Sequence, residues 1–261
     1  MLSVENIPVI ITTCDKYLYC LKYFTHLFNK YWGPQKKVEI YGYSKPNHEL
    51  PPNFVFRSLG KDRGKNYWCD DLKRTLDNVD SDYLIHMVEN EFFTKPINFN
   101  ILNSHINLIN EDSNISKIDL CAKEHWRFKS MPAQIVSEYD GYELIEFLPA
   151  YNYRASLRAS LWKKSVLRKL AHIIDSDPWS FEINSSRTLR DHKVNDGIFK
   201  KDNKFLGTIT DGVIYFKDGV NKGKLLHFGS LKGCNGPGFD EKTQKELSLI
   251  THSVGAPKVN L

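Results

Sequence analysis

The chain has 261 residues, of which 41% are hydrophobic, 13% aromatic and 26% charged. A chain of that size and composition buries a substantial core, which excludes disorder as its main state, and no apolar run approaches the roughly 18 residues of a membrane span. The net charge of +5 is uneven: residues 1–116 carry a net −1 and residues 117–261 a net +6, so an anionic partner is expected to meet the second half.

In chain order, residues 9–11 form a β-branched run that predicts a buried strand. Apolar residues at 17, 18, 21, 24, 28 and 31 have the spacing of an amphipathic helix, which Gly33-Pro34 ends. Residues 38–43 and 54–56 read as strands and 68–79 as a helix with Leu72, Leu76 and Val79 on one face. Residues 83–88 read as a fourth strand and 97–109 as a helix with Ile101, Leu102, His105, Ile106 and Ile109 inward. This alternation is that of an α/β sheet, largely parallel.

Past residue 117 the pattern changes. Residues 117–122 and 143–148 read as strands, and 156–174 as the strongest helix, with Leu157, Leu161, Leu170 and Ile174 on one stripe. Residues 205–210 and 213–216 flank Asp211-Gly212, a hairpin signal. The segment after Gly229, rich in Gly and Lys, is expected to fray or close as a flap. The expected fold class is thus α/β: a single domain with a mostly parallel twisted sheet flanked by helices, residues 1–116 forming its nucleotide-side half and residues 117–261 a mixed α+β half.

Five cysteines stand at 14, 20, 69, 121 and 234, odd in number and without a Cys-x-x-Cys pair. A reducing compartment fits them better than a disulfide framework or zinc site. Residues 1–9 lack the pattern of a signal peptide, so the expected location is cytoplasmic.

The segment Gly60-Lys61-Asp62-Arg63-Gly64-Lys65-Asn66 is one residue short of a phosphate loop and lacks the Ser or Thr after its lysine. Gly-x-Ser-x-Gly, His-Glu-x-x-His and Gly-x-Gly-x-x-Gly are absent. The most informative segment is the strand that ends in Glu89-Asn90-Glu91. If the chain stays extended there, both carboxylates point the same way, at a strand end where open α/β sheets bind ligands. Such a pair can hold a divalent cation that bridges a diphosphate, or it can be a solvated acidic turn.

In order along residues 8–230, the chain resembles the GT-A-fold glycosyltransferases of bacterial and viral surface polysaccharides. The resemblance is carried by the strand and polar turn at 9–15, the Trp-led helix start Tyr67-Trp68-Cys69-Asp70-Asp71-Leu72 and the acidic strand end Glu89-Asn90-Glu91. It continues through Tyr153-Arg154 to Trp162-Lys163, then Ser176-Asp177-Pro178-Trp179-Ser180-Phe181-Glu182, then a late Asn221-Lys222-Gly223-Lys224 turn. Glu-Asn-Glu departs from the family's aspartates, and the longer arms shift any ion they hold.

The resemblance implies a glycosyltransferase with a nucleotide-sugar donor, most simply a UDP-sugar. Thr12, Thr13, Asp15, Arg63, Lys65, Asp70 and Asn90 would bind the donor, and Glu89, Glu91 and His227 would hold Mn²⁺ or Mg²⁺. Residues 117–261 would form the acceptor half, with Trp179, Arg154 and Arg158 meeting the acceptor. Glu182, or failing it Asp177, would be the general base of an inverting reaction. The expected acceptor is a glycan. A rival is duplex DNA carrying a hydroxymethylated pyrimidine, suggested by Arg154, Arg158, Lys163, Lys164, Arg168 and Lys169. A third possibility, from another class, is a non-catalytic sugar- or nucleic-acid-binding module.

Overall fold

The computed structural model describes residues 1–123, 131–191, 203–218, 220–221, 224–225 and 239–252. Strand β1 (Val9–Thr12) has apolar residues buried on both faces, as a central parallel strand requires. Helix α1 (Cys20–Tyr31) follows, then β2 (Val38–Gly42), β3 (Phe54–Ser58), α2 (Trp68–Asp77) and β4 (Tyr83–Val88). The four strands lie in the order β3-β2-β1-β4, all parallel. Next come β5 (Glu91–Phe93), α3 (Phe99–Glu111), β6 (Ile115–Lys123), β7 (Ala133–Tyr139), β8 (Tyr142–Phe147) and β9 (Ser160–Lys163). The chain continues through α4 (Lys164–Ile174), α5 (Pro178–Asp191), β10 (Lys204–Ile209), β11 (Phe216–Asp218), the β12–β13 pair (Val220–Asn221 and Lys224–Leu225) and α6 (Glu241–His252).

A nine-stranded sheet, β3-β2-β1-β4-β9-β6-β10-β8-β7, spans the molecule. The α/β class is as expected, but parallel pairing is confined to the first four strands and to β6–β10. Strand β9 runs antiparallel to both β4 and β6, and β8 antiparallel to both β10 and β7. The expected division at residue 116 falls inside β6, and β9 inserts between strands from either side of it, so residues 1–116 and 117–261 share one sheet.

Each face of the sheet has its own core. On one, Leu21, Phe24 and Phe28 of α1 pack with Ile101 and Ile106 of α3 and Leu247 of α6. On the other, Leu72 and Leu76 of α2 pack with Leu167 and Leu170 of α4 and Phe181 of α5. Lys117 and Asp119, two residues apart on β6, are both buried and hydrogen-bonded to each other. The Ser160 hydroxyl donates to the same carboxylate at 3.1 Å.

Several local expectations need correction. The helix expected over 156–174 begins only at Lys164; residues 160–163 are β9. Their alternation sends Leu161 into one core and Trp162 into the other, a two-residue period that the apparent helical stripe hid. Residues 205–216 form no hairpin: β10 pairs with β6 and β8, while β11 pairs with β5. Asp211 instead accepts a hydrogen bond from the Asn98 side chain at 3.1 Å, at the start of α3. Of the expected carboxyl-terminal flap, residues 241–252 form a helix docked on α1, where Lys30 meets Glu246 at 2.8 Å and Thr243 at 2.7 Å. Helix α5 and strand β7 were not expected, although Asp177-Pro178 is a good helix start.

Cys14, Cys20 and Cys69 are free thiols, and Cys234 lies outside the described residues. Among the described residues, no helix is long and apolar enough to cross a membrane.

Candidate functional site

Strands β1 and β4 end side by side, with Thr12 opposite Val88. The Thr12 hydroxyl lies 3.0 Å from Nε2 of His86, which is wholly buried; burial pushes its pKa down to about 4, so the imidazole is neutral. The Thr13 N–H donates to the Tyr41 carbonyl at 2.9 Å, stitching the turn to β2. Gly42 permits that approach, since a Cβ there would sit 2.7 Å from Cγ2 of Thr13. Asp15 accepts from the Ser44 N–H at 2.8 Å and its hydroxyl at 2.7 Å. The three turn residues expected to bind a donor are thus brought together at the carboxyl ends of β1 and β2.

The acidic segment does not stay extended. A turn at Glu89 and Asn90 separates β4 from β5 and gives the two carboxylates different surroundings. Glu89 lies against Thr13 and adds to the charge felt by Cys14 and Cys20. Glu91 accepts the Ala159 N–H at 3.0 Å and sits opposite Asp218 in the β5–β11 pairing. Both are buried, and burial pushes each pKa up to about 8; for Glu91, Asp218 and Glu182 add to the rise while Arg158 opposes it. Asn90 lies half-buried between them. His227 lies outside the described residues, and among those described no three His, Cys, Asp or Glu side chains converge on a point that could hold a metal ion.

Arg63 donates to Asp71 at 2.7 Å and covers the ring of Tyr67 at 4.7 Å. The buried Asp71 also accepts from the Tyr43 hydroxyl at 2.8 Å, which ties Arg63 to the strand end that carries Ser44 and Asp15. Asp70 pairs with Lys73 at 2.7 Å and, with Arg63, lines a cleft of about 640 Å³ between α2 and α4. Lys65 is exposed and contributes charge near Asp177.

On α5, Asp177 is the helix cap. It accepts from the Trp179 and Ser180 N–H groups, each at 3.1 Å, and from the Ser180 hydroxyl at 2.9 Å. Burial raises its pKa, but these hydrogen bonds outweigh burial and hold it below the ordinary value. Trp179 is 64% exposed, unusual for so large an apolar side chain. Glu182, three residues on, accepts the Leu157 N–H at 2.7 Å and the Ser156 hydroxyl at 3.1 Å through one oxygen. Arg158 pairs with Asp218 at 3.4 Å and lies over the ring of Phe216 at 5.2 Å. Arg154 is only 5% exposed and covers the Phe205 ring at 4.6 Å; burial pushes its pKa down to about 10.

Sequence reasoning missed His86, Ser44 and Asp218. A histidine inside an apolar strand, three residues before Glu89, was the one available signal; Asp218 reaches Glu91 only through a pairing 127 positions apart in the chain.

No protein-family model matches the chain, and no curated protein is similar to it. Among solved structures it is similar to residues 1–349 of TarS from S. aureus in complex with UDP, at 12% identity and a TM-score of 0.46 over 80% of this chain and 59% of that one. It is also similar to the mannosyltransferase PcManGT from Pyrobaculum calidifontis in complex with GDP-Man and Mn²⁺, at 10% identity and a TM-score of 0.42 over 67% of this chain and 50% of that one. A cytidylyltransferase from Leptospira borgpetersenii matches at 10% identity and a TM-score of 0.38, over 68% of each chain. The chain thus spans little more than half the length of the first two, and likenesses at this level carry no weight for what it binds or does.

Proposed function

We propose that the chain is a glycosyltransferase that moves a sugar from a nucleoside-diphosphate sugar, first of all a UDP-sugar, to a glycan hydroxyl in the cytoplasm. The observation that carries this reading is the meeting, at the carboxyl ends of β1, β2 and β4, of the polar turn at 12–15 with the buried Glu89 and Glu91, close to Glu182. Ligands of open α/β sheets bind outside such strand ends. Thr12, Thr13, Asp15 and Asn90 would contact the nucleotide, and Arg63 and Lys65 its phosphates. Asp70 faces the neighbouring cleft and would meet the donor only at its edge.

In the inverting form of the reaction, the acceptor oxygen attacks C1 of the sugar as the bond from C1 to the diphosphate breaks. The bonding pair leaves with the diphosphate, and the acceptor proton passes to a carboxylate. Glu182 suits that role better than Asp177: Asp177 spends both oxygens on its helix cap, whereas one Glu182 oxygen makes every hydrogen bond described above for that residue. Trp179, exposed one turn away, would stack on an acceptor sugar.

The glycan reading is supported over DNA by the fate of the basic residues. Arg154 is buried, Lys163 and Lys164 donate to the Ser113 and Val79 carbonyls at 2.6 and 2.7 Å, and Arg168 is held by Asp77 at 2.6 Å. A phosphate-tracking surface needs such side chains turned outward together.

Melting the protein with UDP, GDP and their sugars tests donor binding; at about 100 times the dissociation constant, ligand adds about 2.7 kcal/mol. Release of UDP from a UDP-sugar separates an enzyme from a binding module. If no nucleotide shifts the melting temperature at millimolar levels, the reading fails.

A further inference from the structure

Helices α2 and α4 share the apolar core beneath them and turn matching polar stripes toward the cleft of about 640 Å³ between them. On α2 the stripe is Asp70, Lys73, Arg74 and Asp77; on α4 it is Ser165, Arg168, Lys169 and His172. Both follow the i, i+3, i+4, i+7 spacing of one helical face. Arg63, just before α2, closes one end. Every described residue of the lining is charged or polar, whereas a pocket for an uncharged ligand is mostly apolar.

The charges in this cleft do not cancel. Five cationic side chains face two carboxylates, a surplus of three against the net +5 of the whole chain. The surplus is still two when the buried Asp71, which Arg63 and Arg74 reach at 2.7 and 3.1 Å, is counted with them. Asp70 holds Lys73 at 2.7 Å and Asp77 holds Arg168 at 2.6 Å. The cationic side chains are thus positioned along the walls, where a cleft focuses their field. Ion pairs this exposed are worth little, so a ligand of several negative charges can exchange for the carboxylates.

We infer that the cleft between α2 and α4 is a binding site for a compact oligophosphate, separate from the strand-end site proposed for the donor. Arg63, Arg74 and Arg168 carry planar forks that match phosphate oxygens in pairs, which favours phosphate over a carboxylate of equal charge. The stripe from residue 70 to residue 77 is about 10 Å long, so the positive charge forms a line that suits linked phosphates better than a single one. The inference goes beyond the glycosyltransferase reading and does not depend on it.

The test is calorimetric titration of tripolyphosphate into the full chain, with orthophosphate and citrate titrated in parallel. The inference expects one saturable tripolyphosphate site per chain, with orthophosphate and citrate each at least about tenfold weaker. Lys73→Gln with Arg168→Gln should weaken tripolyphosphate at least about tenfold, the worth of a charge-assisted hydrogen bond. Neither residue belongs to the strand-end site, so this loss separates the cleft from any phosphate held there. Lys242→Gln, on α6 against the opposite face of the sheet, should leave the affinity within twofold. Lack of saturable binding, citrate binding as tightly as tripolyphosphate, unchanged affinity in the folded double variant, or an equal loss in Lys242→Gln overturns the inference. The comparison of the three anions uses the unaltered protein, so it decides even if the double variant does not fold. None of these outcomes alters the UDP melts that test the glycosyltransferase reading.

Discussion

Glu91 and Glu182 hold neighbouring N–H groups of one loop: Glu91 takes that of Ala159 at 3.0 Å and Glu182 that of Leu157 at 2.7 Å. Arg158 lies between the two anchors. The two acids belong to distant elements, β5 and α5, so the loop ties strand, helix and guanidinium into one unit.

Glu182 then has two separable roles. Glu182→Gln keeps an oxygen for the Leu157 N–H but removes basicity, so turnover should fall about 10²–10⁴-fold while UDP affinity and melting temperature stay nearly unchanged. Glu182→Ala should also lose about 1–3 kcal/mol of stability, because the Leu157 N–H is left without its acceptor. Steady-state kinetics and urea melts on both variants measure this; full turnover in the glutamine variant would remove Glu182 as the base.

Burial of Glu89 and Glu91 makes them expensive at neutral pH. Their pKa values of about 8 in the folded chain stand above the ordinary 4.5 of an unfolded glutamate. Across that window the folded state binds more protons than the unfolded one, so their contribution is fully present below about pH 4.5 and is lost as pH rises through 8. Glu89→Gln and Glu91→Gln should each stabilise the protein at pH 8.5, by roughly 1–3 kcal/mol, and change little at pH 5. Urea melts at the two pH values decide; equal stabilisation at both would mean that ionisation is not the cause.

The buried histidines act in the opposite direction. Burial lowers His86 to about 4 and His105 to about 3. Groups depressed in this way contribute stability above about pH 6.5, and it is lost as pH falls toward 4 and then 3. Among the described residues, His105 has no hydrogen-bond partner at either ring nitrogen, and it meets Tyr142 edge to face. His105→Leu should therefore shift the acid-unfolding midpoint to lower pH, followed by circular dichroism. An unchanged midpoint would place the acid sensitivity elsewhere.

Lys117 and Asp119 form a buried ion pair inside the sheet. Asp119→Ala should cost about 3–5 kcal/mol, because a buried ammonium loses its carboxylate. Replacing both, as Lys117→Met with Asp119→Leu, should cost clearly less. Equal losses for the single and double variants in denaturant titrations would show that packing, not charge, sets the effect.

The first half of the fold was legible because its signals are local. The residues of β1, β2 and β4 are mostly apolar, and α1 and α2 carry clear helical stripes. The second half was harder because its strands are fixed by distant partners. Leu161 fits a helical stripe with Leu157 as well as it fits the alternation that β9 obeys, and only insertion between β4 and β6 settles which applies. The site follows the same rule. The turn at 12–15 and the acids at 89 and 91 could be found from sequence, since both stand at the end of a recognisable strand. Their orientations could not, because the turn after β4 and the β5–β11 ladder decide which way each carboxylate faces.

The place of β9 also bears on how the chain is made. As synthesis proceeds from the amino end, β1 to β4 can assemble early, but the free side of β4 has no partner until residues 160–163 have emerged from the ribosome. Until then, a strand of Tyr83, Leu84, Ile85 and Met87 presents unpaired backbone groups along a sticky edge. Truncated products ending before residue 160 should aggregate rather than persist as a compact amino-terminal fragment. The nascent protein is exposed to that hazard for some seventy residues of translation, which makes it a natural client for chaperones that shield unfinished sheets.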